Sequence, residues 1–425
     1  MLTCRRLPPR SLPDGLLPEL IRNCNMSDVV LTLDRERPLD PPDVFMRLQE
    51  RATMHRMRYA DGHVGWLVTG HAAARAVLAD SRFSNRLELG HSPIPPWLEL
   101  FKRAREQRSP TLPGNFLRMD ASEHARYRRL LAGHFTVRRM IRLEPRIEEI
   151  TEACLDDMEA QGAPADVVRT FALPIPSLVI CELLGVPHEE RGQLQEDSTV
   201  LFSLAPTMED RARAEQRLTG YLRGLVHSKR AEPADDLLSI LAASGELTDE
   251  ELTGVAFLLL VAGHETTANM LALGTYALLT HPGQLKALRA DASLMTNAVE
   301  ELMRYLTVFQ IGPTRAALED VEVDGNVIRK GESVTIHLAV ANRDPARFPV
   351  RGERLDITEP ASGHLAFGHG IHQCLGQQLA RIEMRVGYTA LLRRFPHLSL
   401  AASPTDASMR ADSMIYGMHR LLVTW

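Results

Sequence analysis

The sequence is poor in cysteine, in lysine and in long apolar runs, and these scarcities exclude several classes of protein. Its 425 residues include only 5 cysteines, which are scattered, so no disulfide framework is evident and a reducing compartment is expected. The longest apolar run near the middle, Val255–Ala262, is too short to cross a bilayer, and the N-terminus lacks the apolar segment of a signal peptide. The sequence therefore predicts a soluble, cytoplasmic protein with no membrane partner.

Charge and composition narrow the class further. The net charge of −5 is mild and gives no reason to expect a nucleic-acid partner. Apolar residues make up 44% of the chain, which is enough for a sizeable core. No repeat or low-complexity linker divides the sequence, so we predict a single domain over residues 26–425. Residues 1–25, rich in Pro, Leu and Arg, are expected to be a disordered leader, with Met26 as the translation start.

The first half of the chain shows a short strand and then mostly helical patterns. Val64–Val68 is a compact apolar run closed by Gly70, which predicts a strand, and a helix is predicted over His71–Ala79. The high density of proline between residues 90 and 120 predicts a long loop, and long loops in compact domains are often functional. Helical periodicity dominates residues 122–305.

The longest predicted helix runs from Thr248 to about Thr280. Thr248 with Glu251 matches a capping box, and His281-Pro282 ends the helix. About 32 residues at 1.5 Å each give roughly 48 Å, so a helix this apolar must cross a core. Further on, Asp324-Gly325 predicts a hairpin turn, and a last helix is predicted over residues 377–394. The fold class is thus mainly α with a small β region (α+β).

A glycine-rich loop with one cysteine, residues 367–376, carries the most chemical information. Cys374 precedes a predicted helix, whose N-terminal N–H groups favour a thiolate and lower its pKa. The glycines of this loop let a large planar ligand come close. Two other interpretations stay open at this point: Cys374 as a small buried apolar residue, or a zinc site with His369 and His372, for which partner cysteines are missing.

The pattern F-x-x-G-x-H-x-C-x-G resembles the haem-binding loop of the cytochrome P-450 family of haem-thiolate monooxygenases. The resemblance implies haem b (iron protoporphyrin IX), with Cys374 as the axial iron ligand and Phe367 and Gly376 beside the cofactor. Thiolate ligation favours cleavage of the O–O bond. It also implies the cytochrome P-450 fold, with the long central helix over the haem.

Within that long helix, residues 262–267 read Ala-Gly-His-Glu-Thr-Thr. Gly263 should loosen the helix, and Thr266 can bond a carbonyl one turn back and bend it. The stretch resembles the family's acid–alcohol motif, which implies that Thr266 organises the proton network around O₂ and that Glu265 relays protons from solvent. Without that context, an exposed Glu and a helix-bonded Thr would explain the pair.

Two further motifs resemble those of the family. Glu301 and Arg304 lie three apart on one helix face, which alone would be a surface pair worth a few tenths of a kcal/mol. With Arg354 they match a structural triad that holds the haem-loop side of the core. The sequence just before Arg354 differs from the one that is usual in the family. By resemblance, the residues that hold the haem propionates are His124, Arg128, Arg315 and His372.

The resemblance also places a substrate pocket beside the proline-rich loop. Its other walls are expected to be mostly apolar, as a ligand cavity should be. The residues concerned are Leu259, Ala262, Val308, Phe309, Ile311, Met414 and Ile415.

The implied activity is insertion of one atom of O₂ into an apolar small molecule. The details resemble the actinobacterial enzymes that hydroxylate or epoxidise macrolides, polyketides and other secondary metabolites. Because no G-x-G-x-x-G fingerprint follows a strand, NAD(P)H would act through separate chains, a ferredoxin reductase and a ferredoxin. The alternatives are a peroxide-driven peroxygenase and a non-catalytic haem or ligand-binding protein; Glu265 and Thr266 disfavour both. We expect a monomer.

Ferredoxins are acidic, so a basic docking face is expected despite the net negative charge. By resemblance, it would lie on the helices that flank the thiolate side of the haem. Ordinary solvated arginines are the alternative explanation for the residues concerned, which are Arg126, Arg129, Arg138, Arg139, Arg381 and Arg385.

Overall fold

The computed structural model describes residues 29–107, 112–349 and 352–425. The predicted leader, residues 1–25, lies outside these ranges. The α-helices of the described residues, labelled α1 to α14, span Asp43–Gln49, His71–Ala79, Leu98–Gln107, Ala121–Ala132, Val137–Gln161, Pro174–Leu184, Arg191–Phe202, Met208–Ala231, Leu237–Ser244, Asp249–Thr280, Pro282–Ala290, Met295–Leu306, Leu338–Ala341 and Gln377–Arg394. The strands, labelled β1 to β12, span Met54–Arg58, Val64–Val68, Phe83–Ser84, Ala165–Asp166, Thr314–Ala317, Val321–Val323, Asn326–Ile328, Ser333–Ile336, Ser399–Leu400, Ser408–Met409, Met418–Arg420 and Leu422–Thr424.

Helix α10 is the centre of the helical layer. It begins after Thr248, whose side chain and that of Glu251 form the predicted capping box, and it packs against α6, α8 and α14. By length and composition alone it is apolar enough to cross a membrane, but 67% of its most apolar window is buried inside the protein. A helix that is apolar all round is expected in the core of a large domain. The mainly α fold with small sheets confirms the predicted class.

The β region is built around one five-stranded sheet with the order β1-β2-β8-β5-β3. Strand β2 has the predicted bounds, and its parallel pairing with β8 joins parts of the chain separated by more than two hundred residues. Strand β5 pairs with both β8 and β3, and this fixes the position of Arg315 at the edge of the helical layer. The predicted hairpin β6–β7 forms with Asp324 and Gly325 both at positive φ, as a type I′ turn requires.

The prediction of an unbroken long loop over residues 90–120 was wrong in its middle. Helix α3 occupies Leu98–Gln107, directly after the short 3₁₀ turn Pro95–Trp97. On the N-terminal side of α3, the last of the prolines that suggested a loop is Pro96. No proline lies within α3 itself. Its apolar side turns inward, where Phe101 is buried.

Candidate active site

A cavity of about 360 Å³ lies between α10 and the loop that carries Cys374. Its size falls within the usual range for ligand pockets. The walls are mostly apolar, and one end is rich in arginine and histidine. Cys374, Gly376 and Phe367 all border this cavity, as the sequence predicted for a cofactor-binding loop.

The cysteine loop is shaped by glycines and by one backbone bond. The Cys374 N–H donates to the carbonyl of Phe367 (2.9 Å), which closes the loop beneath the cavity. Gly370 has φ +75°, and an added Cβ there would lie 2.3 Å from the carbonyl oxygen of Leu78, so only glycine fits. A Cβ on Gly376 would meet nothing within 4 Å, which leaves the space above the loop open to a flat ligand.

The charge state of the Cys374 thiol results from opposing effects. Desolvation raises its pKa, although the side chain is exposed to the cavity. The N–H of Gly376 and the positive charges of Arg128 and Arg381 act to lower the pKa, but burial prevails. The prediction that the helix N-terminus would lower the pKa of Cys374 thus captures one of these effects and not the net direction.

A cationic group lines one end of the cavity and includes all four predicted propionate contacts. The rings of His124 and His372 meet edge to face at 4.4 Å. Arg315 Nη1 donates to Asn85 Oδ1 (2.7 Å). Burial, together with nearby arginines and His124, lowers the pKa of His372 to about 3. Burial also lowers the pKa of Arg128.

These groups fit a ligand that carries carboxylates. Among the described residues, His124 Nε2 and His372 Nδ1 are buried without a hydrogen-bond partner. Unpaired polar atoms in a buried site are costly, so both await a bound acceptor. Together with the cysteine loop and the apolar walls, this donor set fits haem.

Sequence reasoning missed one member of the cationic group. Arg118, in the 3₁₀ turn Phe116–Arg118, also lines the cavity. Desolvation lowers its pKa, and its charge lowers the pKa of Arg315 in turn. Arg118 lies inside the segment that was predicted to be a loop, and no periodic pattern there indicates that its side chain faces the cavity.

Thr266 lies on the cavity side of α10. Its hydroxyl donates to the carbonyl of Ala262 (3.0 Å), the predicted bond to the preceding turn. Packing also favours glycine at position 263, because an added Cβ there would lie 2.9 Å from the Ile180 side chain on α6. Helix α10 continues through this point without a break.

Glu265 lies in a second cavity of about 200 Å³ and does not border the larger one. Arg410 Nη1 lies 2.5 Å from Glu265 Oε2, and the Thr199 hydroxyl donates to Oε1 (2.7 Å). Burial acts to raise the pKa of Glu265, but Arg410, His264 and the bond from Thr199 outweigh it, and the pKa lies below its ordinary value.

The predicted triad forms around Glu301 and Arg304, which are both wholly buried. Two hydrogen bonds of 2.7 and 2.8 Å join the guanidinium to the carboxylate. The third residue differs from the prediction, because Arg304 Nη2 donates to the backbone carbonyl of Arg354 (2.7 Å) while the Arg354 side chain is exposed. Glu301 instead accepts from the N–H of Asp356 (2.9 Å).

Most of the predicted pocket residues line the larger cavity, namely Leu259, Ala262, Val308, Phe309 and Met414. Ile311 and Ile415 do not line it, and both are wholly buried in the core behind the wall. The backbone of Ile415 pairs with that of Phe309, and this pairing holds the wall segment while Met414, its neighbour, borders the cavity. Trp97 and Phe101 line the cavity as well.

The described residues contain no group of three or more His, Cys, Asp or Glu that could hold a metal ion. A mainly α fold with one cysteine facing a large cavity under a long helix defines the class of haem-thiolate enzymes. Comparison with known proteins gives the same answer.

The sequence model of the family described as Cytochrome P450 matches residues 194–414. The chain is similar to cytochrome P450 105C1 of a Streptomyces species, with 50% identity over 398 residues, or 93% of this chain and 98% of that protein. It is similar to the crystal structure of CYP105P1 in complex with filipin I, with TM-score 0.86, 42% identity, and coverage of 93% and 98% of the two chains. It is also similar to mycinamicin VIII C21 methyl hydroxylase MycCI from Micromonospora griseorubida bound to mycinamicin VIII, with TM-score 0.85, 37% identity, and coverage of 94% and 100%.

The chain therefore belongs to the cytochrome P450 family and is a P450 monooxygenase, and its family implies a haem-iron cofactor.

Proposed function

We propose that this protein hydroxylates or epoxidises an apolar secondary metabolite of macrolide or polyketide type. Electrons come from NAD(P)H through a ferredoxin reductase and a ferredoxin. The observation that carries the proposal is one mostly apolar cavity bordered by Cys374 on one side and by Thr266 on the other. The protein acts as a cytoplasmic monomer.

Haem b is the cofactor that this cavity would hold. Cys374 would ligate its iron, and its propionates would be held by the cationic group, which comprises Arg118, His124, Arg128, Arg315 and His372. When bound, the haem supplies the redox chemistry that splits O₂, while the protein positions the substrate and controls protons. The unpaired nitrogens of His124 and His372 support this placement.

Proton delivery falls to Thr266 and Glu265, which lie next to each other but border different cavities. Thr266 holds its hydroxyl at the larger cavity, where the hydroxyl oxygen would accept a hydrogen bond from a bound group while its proton is donated to the carbonyl of Ala262. Glu265 is itself wholly buried, but the smaller cavity that it lines, on the other side of α10, is also lined by the exposed residues Asp412 and His419, through which protons from solvent would reach it. A turn of the Glu265 side chain would carry a proton from one cavity toward the other.

The substrate class follows from the walls. Leu259, Ala262, Val308, Phe309 and Met414 offer an apolar surface, which favours a large apolar molecule over a charged one. The similar structures that contain filipin I and mycinamicin VIII support a substrate of this kind.

Turnover with isotopically labelled O₂ tests the proposed function. The loaded enzyme, a ferredoxin, its reductase and NADPH should convert a bound macrolide into a product with one labelled oxygen atom. A product that forms only with hydrogen peroxide would favour the peroxygenase. Substrate binding without a product under either condition would favour the ligand-binding protein.

The proposed ferredoxin-docking face is narrower than the sequence suggested. Arg126 pairs with Glu251, Arg381 with Glu300 and Arg385 with Glu144, so their charges are partly committed within the protein.

Three exposed arginines on and after α4 remain. Arg139 contacts His134, whereas Arg129 and Arg138 have no ion-pair partner in the described parts of the chain. We place the docking charge mainly on Arg129 and Arg138. Charge pairing at such a rim acts on the association rate and weakens with salt.

Reversing both charges, Arg129→Glu with Arg138→Glu, should slow ferredoxin-supported turnover about tenfold or more at low salt, with a weaker salt dependence. Peroxide-supported turnover should be unchanged. The matched control reverses two exposed arginines elsewhere, Arg51 and Arg420. Wild-type ferredoxin-supported rates in the first variant at low salt would show that the docking face is wrong.

A further inference from the structure

Glu383 is a buried carboxyl group for which the proposed mechanism has no use. It lies in α14, seven residues into the helix that follows the cysteine loop, and only 2% of its surface is exposed. It lines the same cavity as Cys374. At about 1.5 Å per residue, it lies on the order of 10 Å along the axis from the start of the helix.

No protein group compensates a charge on Glu383. Its Oε2 is buried without a hydrogen-bond partner, and no described residue donates to either of its oxygens. An ionised carboxylate in such a place loses its hydration and gains nothing in return. Burial alone raises the pKa of Glu383 to about 8.

The charged groups on the elements packed against α14 are engaged elsewhere. On α5, Glu144 pairs with Arg385, and Glu152 pairs with Arg393 and Arg394. On α12, Glu300 pairs with Arg381, and Glu301 pairs with Arg304. On α10, Glu265 pairs with Arg410 in the second cavity. The cationic group, which includes Arg128, lines the same cavity, but none of its members shifts the pKa of Glu383.

We propose that Glu383 holds a proton at neutral pH and that its protonation is linked to the oxidation state of the haem. If haem occupies the cavity with Cys374 as its ligand, reduction by the ferredoxin would add one electron to a site that already holds the negative charge of the Cys374 thiolate. A second negative charge on Glu383 would oppose that electron in a site of low dielectric constant. The neutral acid therefore keeps the haem reducible, and above the pH at which Glu383 ionises, each electron brings one proton from solvent to its carboxylate.

The proposal depends on the haem placement under "Proposed function", and the midpoint potential measured against pH tests it. In the wild-type enzyme, the potential should be level up to about pH 8 and should then fall. One proton per electron corresponds to about 59 mV for each tenfold drop in proton concentration. In Glu383→Gln, which keeps a neutral side chain of the same shape, the potential should stay level through the same range.

The control Glu123→Gln removes a carboxylate from an exposed position on α4 and should keep the wild-type slope. Infrared spectra of the apoprotein give a second measurement that needs no haem. The wild type should show the carbonyl stretch of a buried protonated carboxylic acid at pH 7, lost above pH 8 and absent from Glu383→Gln.

Equal slopes in the wild type and Glu383→Gln would overturn the linkage, and the absence of the infrared band would overturn the protonation. If the infrared band is present but the protein forms no thiolate-ligated haem complex, the haem placement fails while the protonation of Glu383 stands.

Discussion

Arg410 and Glu265 form a buried ion pair in a cavity separate from the one that contains Cys374, with 2.5 Å between Nη1 and Oε2. Arg410 directly follows strand β10, and Glu265 lies at the middle of α10. The pair joins the proposed proton donor to the segment that carries the pocket residue Met414.

Loss of Arg410 should reverse the pH dependence that Glu265 contributes to stability. With Arg410 present, the pKa of Glu265 lies below its ordinary value of 4.5, so its stabilisation is present above that pH and is lost as the pH falls through the lowered pKa. In Arg410→Met, burial dominates and raises the pKa, so stability should fall as the pH rises.

Urea unfolding of the apoprotein at several pH values measures this effect. At pH 7, Arg410→Met should lower the free energy of unfolding by about 3–5 kcal/mol, because it leaves a buried charge without a partner. The double variant Arg410→Met with Glu265→Gln should recover much of that loss. Additive effects of the two substitutions would contradict a coupled pair.

Thr266→Ala should separate NADPH consumption from product formation. The hydroxyl borders the larger cavity and is tied to Ala262 by a single hydrogen bond, so its removal should leave the fold intact. Product per NADPH should fall about a hundredfold, the lower end of the effect of a positioned acid–base group, with peroxide released instead. Thr266→Ser, which keeps the hydroxyl, is the matched control, and tight coupling in Thr266→Ala would count against the role.

Ala262→Phe should exclude large substrates without loss of haem. Ala262 lines the cavity, so a bulky side chain there takes the space of the ligand. Ile415→Val is the contrast, because Ile415 lies behind the wall; it should cost about 0.5–1.5 kcal/mol of stability and leave substrate affinity unchanged. Substrate-induced spectral titrations compare the two, and wild-type affinity for a macrolide in Ala262→Phe would place the pocket elsewhere.

The features that the sequence predicted well are those with local causes. The capping box of Thr248 and Glu251 begins α10 because both partners lie within one turn. The closure of the cysteine loop is similarly local, since the Cys374 N–H donates to the carbonyl of Phe367, seven residues earlier. The bounds of β2, α2 and α14 follow from short-range pattern and breakers.

Features with distant causes escaped prediction. The Glu265 side chain faces the smaller cavity because it pairs with Arg410, which lies 145 residues further along the chain. Ile311 and Ile415 come from the right segments, but which neighbour reaches the cavity depends on tertiary packing. Arg354 contributes its carbonyl, whose contact with Arg304 no side-chain motif encodes.

The most direct test of the central claim is the optical spectrum of the reduced protein with carbon monoxide. If Cys374 ligates haem iron, the wild type should show the red-shifted Soret band of thiolate-ligated haem. Cys374→Ser should lose that band, whereas Cys181→Ser, at a buried cysteine of α6, should keep it. An unchanged band in Cys374→Ser would contradict the assignment of Cys374 and, with it, the proposed active site.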